Sequence, residues 1–346
     1  MATTIYGTSG DDIIQQNSKV DVTIYGRGGD DDIYLNRTDD LGGFNYVDAG
    51  TGHDYVLNYF EGGNDIFLGD GNDLYVADIR AGDASSSDVV EGGAGNDRFV
   101  VDTEESDYYG DSGNDTFKSV GFDNYFNGGS GTDTISYQLQ DEYSSQRGKG
   151  VTIDLGGQEA TTGSGHVEDL ISIENAIGTN YGDDDITGSS GRNVLRGLGD
   201  NDILEGLGGN DSLDGGSGAD DLYGGSGNDF LRGGTGSDYL NGGTGEDTFD
   251  FNSISESVVG SNRDVIADFH RSEFDVVDLT TIDANQLLSG NQAFKFIGGQ
   301  SFHGTSGELR FSSTGIIAGD TDGDGSSDFH IKVNGVTKMF ADDFFV

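Results

Sequence analysis

Between Gly188 and Asp250 a large apolar residue returns at every ninth position, and the residues between are small or polar. Seven nonapeptides fill this stretch without a gap, and four in succession, from Gly215, read GGSGADDLY, GGSGNDFLR, GGTGSDYLN and GGTGEDTFD. The G-G-x-G-x-D half of each unit predicts a tight turn, because glycine supplies backbone angles closed to other residues. The following x-U-x half, with U a large apolar residue, predicts a short strand that points U inward. Two units then close one coil of a right-handed parallel β-roll or β-helix, and Leu204, Leu213, Leu222, Leu231, Leu240 and Phe249 stack into a thin core. Units from Gly197 and Gly206 keep the aspartate and the apolar residue. The unit from Gly188 places Asn193 where the aspartate belongs, and a degenerate unit from Thr179 supplies Asp184 and Ile186.

The same unit recurs in scattered form nearer the N-terminus, starting at Gly7, Gly26, Ala49, Gly92, Gly110 and Gly128, with shortened copies around Asp65 and Asp73. Each coil there is expected to keep one clear unit while its opposite side has diverged. From Ser136 to Ile177 the period breaks, which predicts a cap or a bent strand joining two coiled stretches. After Phe251 the nonapeptides stop, and alternating runs such as DVIADF (264–269), AFKFI (293–297), ELRF (308–311) and DFHIKV (328–333) predict antiparallel strands. The chain therefore reads as all-β in four segments. These are a degenerate parallel β-helix (1–136), a connecting segment (137–178), a regular β-roll (179–250) and an antiparallel β cap domain (251–346).

Composition narrows the chemistry. Acidic residues outnumber basic ones 63 to 17, which leaves a formal charge of −46, and the chain holds 61 glycines, no proline and no cysteine. That charge argues against nucleic acid and anionic membranes as partners and makes cations the expected ones. Without cysteine there are no disulfides or thiolate metal sites. No run of eighteen apolar residues is present, so membrane insertion is not expected, and no cleaved N-terminal secretory signal is expected either.

Stacked coils also stack their turn aspartates, about 4.8 Å apart, where carboxylates repel. Calcium relieves this, since it takes six to eight oxygen ligands near 2.4 Å and suits turns rich in backbone carbonyls. The expected ligands are Asp184, Asp202, Asp211, Asp220, Asp229, Asp238 and Asp247 in the regular block, and Asp12, Asp31, Asp54, Asp73, Asp97, Asp115 and Asp133 nearer the N-terminus. One ion per pair of stacked turns gives roughly six ions in residues 179–250.

On these motifs residues 179–250 resemble the calcium-binding β-roll of RTX (hemolysin-type) proteins. Residues 248–346 resemble the C-terminal secretion domain of serralysin-type metalloproteases, through DVIADF, FDVVDLTTIDAN from Phe274, QAFKFIGGQSFHGTSGELRF from Gln292 and GDTDGDGSSDFHIKV from Gly319. The segment Asp343–Val346 is similar to the tail of substrates of the type I secretion route. The resemblance implies Gram-negative export to the extracellular medium in one step, with an ABC exporter and its outer-membrane channel as transient partners. Because ions bound only by the folded state stabilise it, the chain is expected to fold on calcium outside the cell, in an accessory, matrix or surface-binding role.

Proteolysis does not carry over. None of His53, His166, His270, His303 and His330 lies in H-E-x-x-H spacing, no G-x-S-x-G elbow is present, and no catalytic residue is assigned. Each histidine reads as an ordinary surface or turn residue. Asp320, Asp322, Asp324 and Asp328 match the first nine positions of an EF-hand loop, but the twelfth position is Ile331, so these aspartates either hold an ion weakly or form a solvated turn. Tyrosines 25, 34, 46, 55, 59, 75, 108, 109 and 125 pack in the coils or, in an alternative reading, line a groove that binds or modifies an extracellular polysaccharide in the manner of a lyase or epimerase.

Overall fold

The computed structural model describes residues 3–16, 21–35, 44–59, 63–78 and 87–346. It divides into two compact units, residues 1–179 and 180–346. No helix among the described residues is long and apolar enough to cross a membrane.

In the N-terminal unit, alternate short strands fall into two parallel sheets. One sheet runs through Thr3–Tyr6, Val22–Tyr25, Tyr46–Thr51, Asp65–Asp70, Val89–Ala94, Asp107–Ser112 and Tyr125–Asn127. The other runs through Ile13–Gln16, Asp32–Leu35, Tyr55–Tyr59, Leu74–Asp78, Arg98–Asp102, Thr116–Ser119 and Thr134–Ser136. Because side chains alternate across each strand, many strands bury two apolar residues, such as Ile33 with Leu35 and Phe99 with Val101, and one inward position per strand stacks into a continuous column. In the second sheet these are Ile14, Ile33, Val56, Tyr75, Phe99, Phe117 and Ile135, in direct register and all buried. Ile24, Val47, Ile66, Val90, Tyr108 and Phe126 face them from the first sheet. Aromatic rings fill the later coils, with Phe99 stacked on Phe117 at 4.8 Å and Tyr108 on Phe126 at 5.4 Å.

The break after Ser136 is a short 3-10 turn (Gln138–Glu142) followed by an antiparallel hairpin of Val151–Asp154 and Glu159–Thr162. The hairpin pairs with Val167–Ile171. That strand re-enters the coil beside Tyr125–Asn127, and Asn175–Ile177 lies beside Thr134–Ser136.

In the C-terminal unit the coil is more regular. Leu204, Leu222, Leu240 and Ile266 form one core column and Leu195, Leu213, Leu231, Phe249 and Val277 the other, all fully buried. The strands Val265–Ile266 and Val276–Asp278 thus continue the two parallel sheets past the last nonapeptide. An isolated antiparallel bridge joins Val258 to Phe329, and antiparallel strands form the meander Glu308–Phe311, Ile316–Asp320 and Phe329–Val333. It joins the coil through Phe329–Val333, which runs parallel to Val265–Ile266.

Glycine sets how closely successive turns approach. Gly236 has a φ of +155°, and a Cβ added there would lie 1.4 Å from the carbonyl oxygen of Gly218 in the neighbouring turn. Gly236→Ala should destabilise the folded chain by about 2–4 kcal/mol, from an unfavourable backbone angle and overpacking together. Thermal unfolding in calcium checks this, and an unchanged midpoint would refute the close stacking.

Candidate metal centres

The turns place their aspartates in continuous ladders. In the C-terminal unit the backbone N–H of Asp184 donates to Oδ1 of Asp202 at 2.8 Å, Asp202 to Asp220 at 2.9 Å, Asp220 to Asp238 at 3.0 Å and Asp238 to Asp264 at 2.9 Å. On the opposite edge Asn193 donates to Asp211 at 2.7 Å, Asp211 to Asp229 at 2.8 Å, Asp229 to Asp247 at 3.0 Å and Asp247 to Asp275 at 3.1 Å. The N-terminal unit repeats the ladder along one edge, through Asp12, Asp31, Asp54, Asp73, Asp97, Asp115 and Asp133, with N–H to Oδ1 distances of 2.7 to 2.8 Å. There Asp133 donates in turn to Oε2 of Glu174 at 2.8 Å.

All the aspartates predicted as ligands therefore stand in these ladders. Asp73 is among them. Asp65 instead stands on the outer face of its strand, and Asn64 takes the turn position. Asp264 and Asp275 extend both C-terminal ladders and lie outside the predicted set. Their signal is present in the sequence all the same: in Asp264-Val265-Ile266 and Asp275-Val276-Val277 an aspartate precedes a core residue by two, as in the units from Gly197 to Asp250.

One oxygen of most ladder carboxylates is thus used by the backbone, and the other is not; Asp275 is an exception, since its Oδ2 accepts the N–H of His270. Oδ2 of Asp31, Asp54, Asp73, Asp97, Asp115, Asp133, Asp202, Asp211, Asp220, Asp229, Asp238, Asp247 and Asp264 is buried without any hydrogen-bond partner. Leaving a buried charged oxygen unpaired is costly, so a single such atom calls for an explanation and a repeated column of them calls for a ligand. Glycine holds the space open. A Cβ built on Gly224 would lie 2.5 Å from Oδ2 of Asp229 and 2.6 Å from the carbonyl oxygen of Gly242. On Gly215 it would lie 2.5 Å from Oδ2 of Asp220 and 2.8 Å from the carbonyl oxygen of Gly233. A carboxylate and a carbonyl from the next coil therefore converge where a side chain is missing. Asp12 differs, because its Oδ2 accepts the N–H of Thr8 at 2.5 Å.

Burial, reinforced by neighbouring carboxylates, pushes these acids upward: Asp54, Asp115, Asp220 and Asp247 to about 7 and Asp202 and Asp264 to about 8. A divalent cation reverses that pressure by favouring the ionised form. Oxygen-only donors, carboxylate and backbone carbonyl together, in a turn that flexes on glycine, suit calcium, which takes more ligands in looser geometry than magnesium.

A separate cluster sits in the loop after Ile316–Asp320. Carboxylate oxygens of Asp320, Asp322 and Asp328 lie within 4.8 Å of one another. Asp320 already accepts the N–H groups of Gly323 and Gly325 at 2.7 and 3.0 Å. Ile331, at the twelfth loop position, is fully buried in the core. The histidines engage neighbours locally: Nδ1 of His53 accepts the N–H of Asn72 at 2.8 Å within a turn, and His166 and His303 pair with Asp123 and Glu308 at 2.8 and 2.7 Å.

A parallel roll with a glycine-cradled oxygen site at its stacked aspartate turns is the architecture of a calcium-binding repeat protein. The chain belongs to the family described as peptidase M10 serralysin C terminal, which matches residues 102–346. It also carries RTX calcium-binding nonapeptide repeats, matched at residues 2–15, 21–41 and 84–102. On these matches it is a secreted calcium-binding protein of the type I export class. No curated protein matches the chain. Among solved structures it is similar to the AlgE6R3 subunit of the Azotobacter vinelandii mannuronan C5-epimerase, with 26% identity over 47% of this chain and 77% of that one and a TM-score of 0.29.

Proposed function

We propose that this protein crosses the cell envelope unfolded, through an ABC exporter and its outer-membrane channel, and folds outside when calcium fills its turn sites. It then serves there as a calcium-stiffened module with an accessory, matrix or surface-binding role. The observation that carries the reading is the repeated buried Oδ2 without a partner. Calcium bound only by the folded chain stabilises it with the logarithm of ion concentration. Sites of extracellular-module affinity, about 0.1–1 mM, stay empty in the cytosol.

The proposed export segment fits a switch of this kind. In the folded unit Asp343 is buried, Nε of Arg271 donates to it at 2.6 Å, and Phe344–Phe345 runs parallel to Val276–Asp278. Asp343 and Phe344 come free for an exporter only in the unfolded chain, while Phe345 and Val346 are exposed in the folded unit as well. Deleting Asp343–Val346 in cells that carry a type I exporter and its outer-membrane partner should remove the protein from the medium. Undiminished secretion would refute the assignment.

A second reading rests on the outer face of the N-terminal unit. Tyr6 stacks on Tyr25 at 5.4 Å, Tyr25 contacts Tyr46 at 5.9 Å and Tyr46 contacts Phe67 at 5.4 Å. Tyr6 and Tyr46 are exposed, and Asp48, Asp65 and Glu91 flank the rings in register. Rings bordered by hydrogen-bond acceptors form a platform on which sugar rings stack, which favours an extracellular polysaccharide as the surface bound. Tyr75 and Tyr108 take no part, because both are core residues.

A further inference from the structure

The two edges of the N-terminal unit are chemically unlike. Along the edge just described, six aspartates each leave a buried Oδ2 without a partner. The opposite edge carries Asn45, Asn64, Asp88, Ser106, Asn124 and Glu168 at the equivalent turn positions, and all six are buried. Their side chains accept from the next backbone in the same ladder sense: Asn45 N–H to Asn64 Oδ1 at 3.3 Å, Asn64 N–H to Asp88 Oδ1 at 2.9 Å, Asp88 N–H to Ser106 Oγ at 3.1 Å and Ser106 N–H to Asn124 Oδ1 at 3.0 Å. The ladder geometry is kept while most of its charge is gone.

The two acids on this edge are saturated by protein donors. Asp88 accepts the backbone and side-chain N–H groups of Asn64, both at 2.9 Å, the Nδ2 of Asn58 at 2.8 Å and the hydroxyl of Tyr75 at 3.2 Å. Glu168 accepts the hydroxyls of Ser119 and Tyr137, both at 2.7 Å, and the N–H of Phe122 and Nδ2 of Asn124, both at 3.2 Å. Neither leaves an oxygen over for an ion. At the turns before Ser106 and Asn124 the glycine cradle is missing as well: Val101 and Ser119 stand five residues ahead of them, where the aspartate edge has Gly92, Gly110 and Gly128 five ahead of Asp97, Asp115 and Asp133.

We infer that the N-terminal unit binds calcium along one edge only, the other edge being a calcium-independent hydrogen-bonded spine, whereas the C-terminal unit binds calcium along both. The inference rests on the proposed calcium reading of the aspartate ladders. Its consequence is an uneven ion distribution, with the N-terminal coils holding roughly half the calcium per coil of the C-terminal ones. An amide or hydroxyl that both donates and accepts keeps a turn in register without a cation.

Counting bound calcium by native mass spectrometry on the whole chain tests this. Asp54→Asn and Asp97→Asn should each lower the count by one or two ions. Asp88→Asn should keep the wild-type count while unfolding at lower temperature. Ser106→Ala removes one hydroxyl from the spine and so guards against a misfolded Asp88 variant; it should also keep the count. Loss of ions in Asp88→Asn or Ser106→Ala matching that in Asp54→Asn would overturn the inference, as would unchanged counts in both Asp54→Asn and Asp97→Asn. A wild-type chain that binds no calcium would instead overturn the reading on which the inference rests.

Discussion

Withdrawing calcium with excess chelator at neutral pH is expected to expand the chain toward the radius of gyration of roughly 65 Å that an unfolded polypeptide of this length adopts. Neighbouring carboxylates at strand spacing repel by about 3.5 kcal/mol per pair at an effective dielectric constant of 20. A few such pairs equal the whole stability of an ordinary domain, about 5–15 kcal/mol, and the ladders of the two units contain many more. The thin core compounds the effect, since each nonapeptide strand offers only one large inward residue, such as Leu222 and Leu231. Small-angle scattering with and without chelator measures this. A radius unchanged by chelator would show that the ladders hold together without their ion.

Acid should substitute in part for the ion. Burial raises the ladder carboxylates above their ordinary value of 3.8, Asp54 and Asp220 to about 7 and Asp202 and Asp264 to about 8. The folded chain then holds protons that the unfolded chain releases. The stability from this source is fully present below about pH 4 and is lost as pH rises toward 7 or 8. In chelator, strand content should therefore increase between pH 7.5 and pH 5, and added calcium should have progressively less effect as protons occupy the same oxygens. Circular dichroism across that range in chelator is the check. A chain equally unstructured at both ends would mean that carboxylate repulsion does not oppose the fold.

How far the amino-acid sequence reveals the fold and its sites depends on regularity of spacing. Where the coil length is constant at 18 residues, as from Asp202 to Asp220 and Asp238, both the core leucines and the turn aspartates follow from counting. In the N-terminal unit successive ladder partners are 19, 23, 19 and 24 residues apart from Asp12 to Asp97. The extra residues lie in the sequence ahead of Val22, Asn45, Asn64 and Asp88, in unequal numbers. Hence the aspartate edge is legible and the Asn45, Asn64, Ser106 and Asn124 ladder is not: a lone asparagine before an apolar pair carries no period. Asp264 and Asp275 are hidden for the same reason, at separations of 26 and 28 residues from their partners. The role of Glu168 depends on a contact across 49 residues with Ser119, which no local pattern encodes.

The central claim is that calcium in the turn sites makes the roll. It is tested most directly by following far-UV circular dichroism of the whole chain at neutral pH while calcium is added from chelator to several millimolar. The expected result is a change from a disordered to a strand spectrum, cooperative and centred at roughly 0.1–1 mM free calcium. A full strand spectrum already present in excess chelator would contradict it.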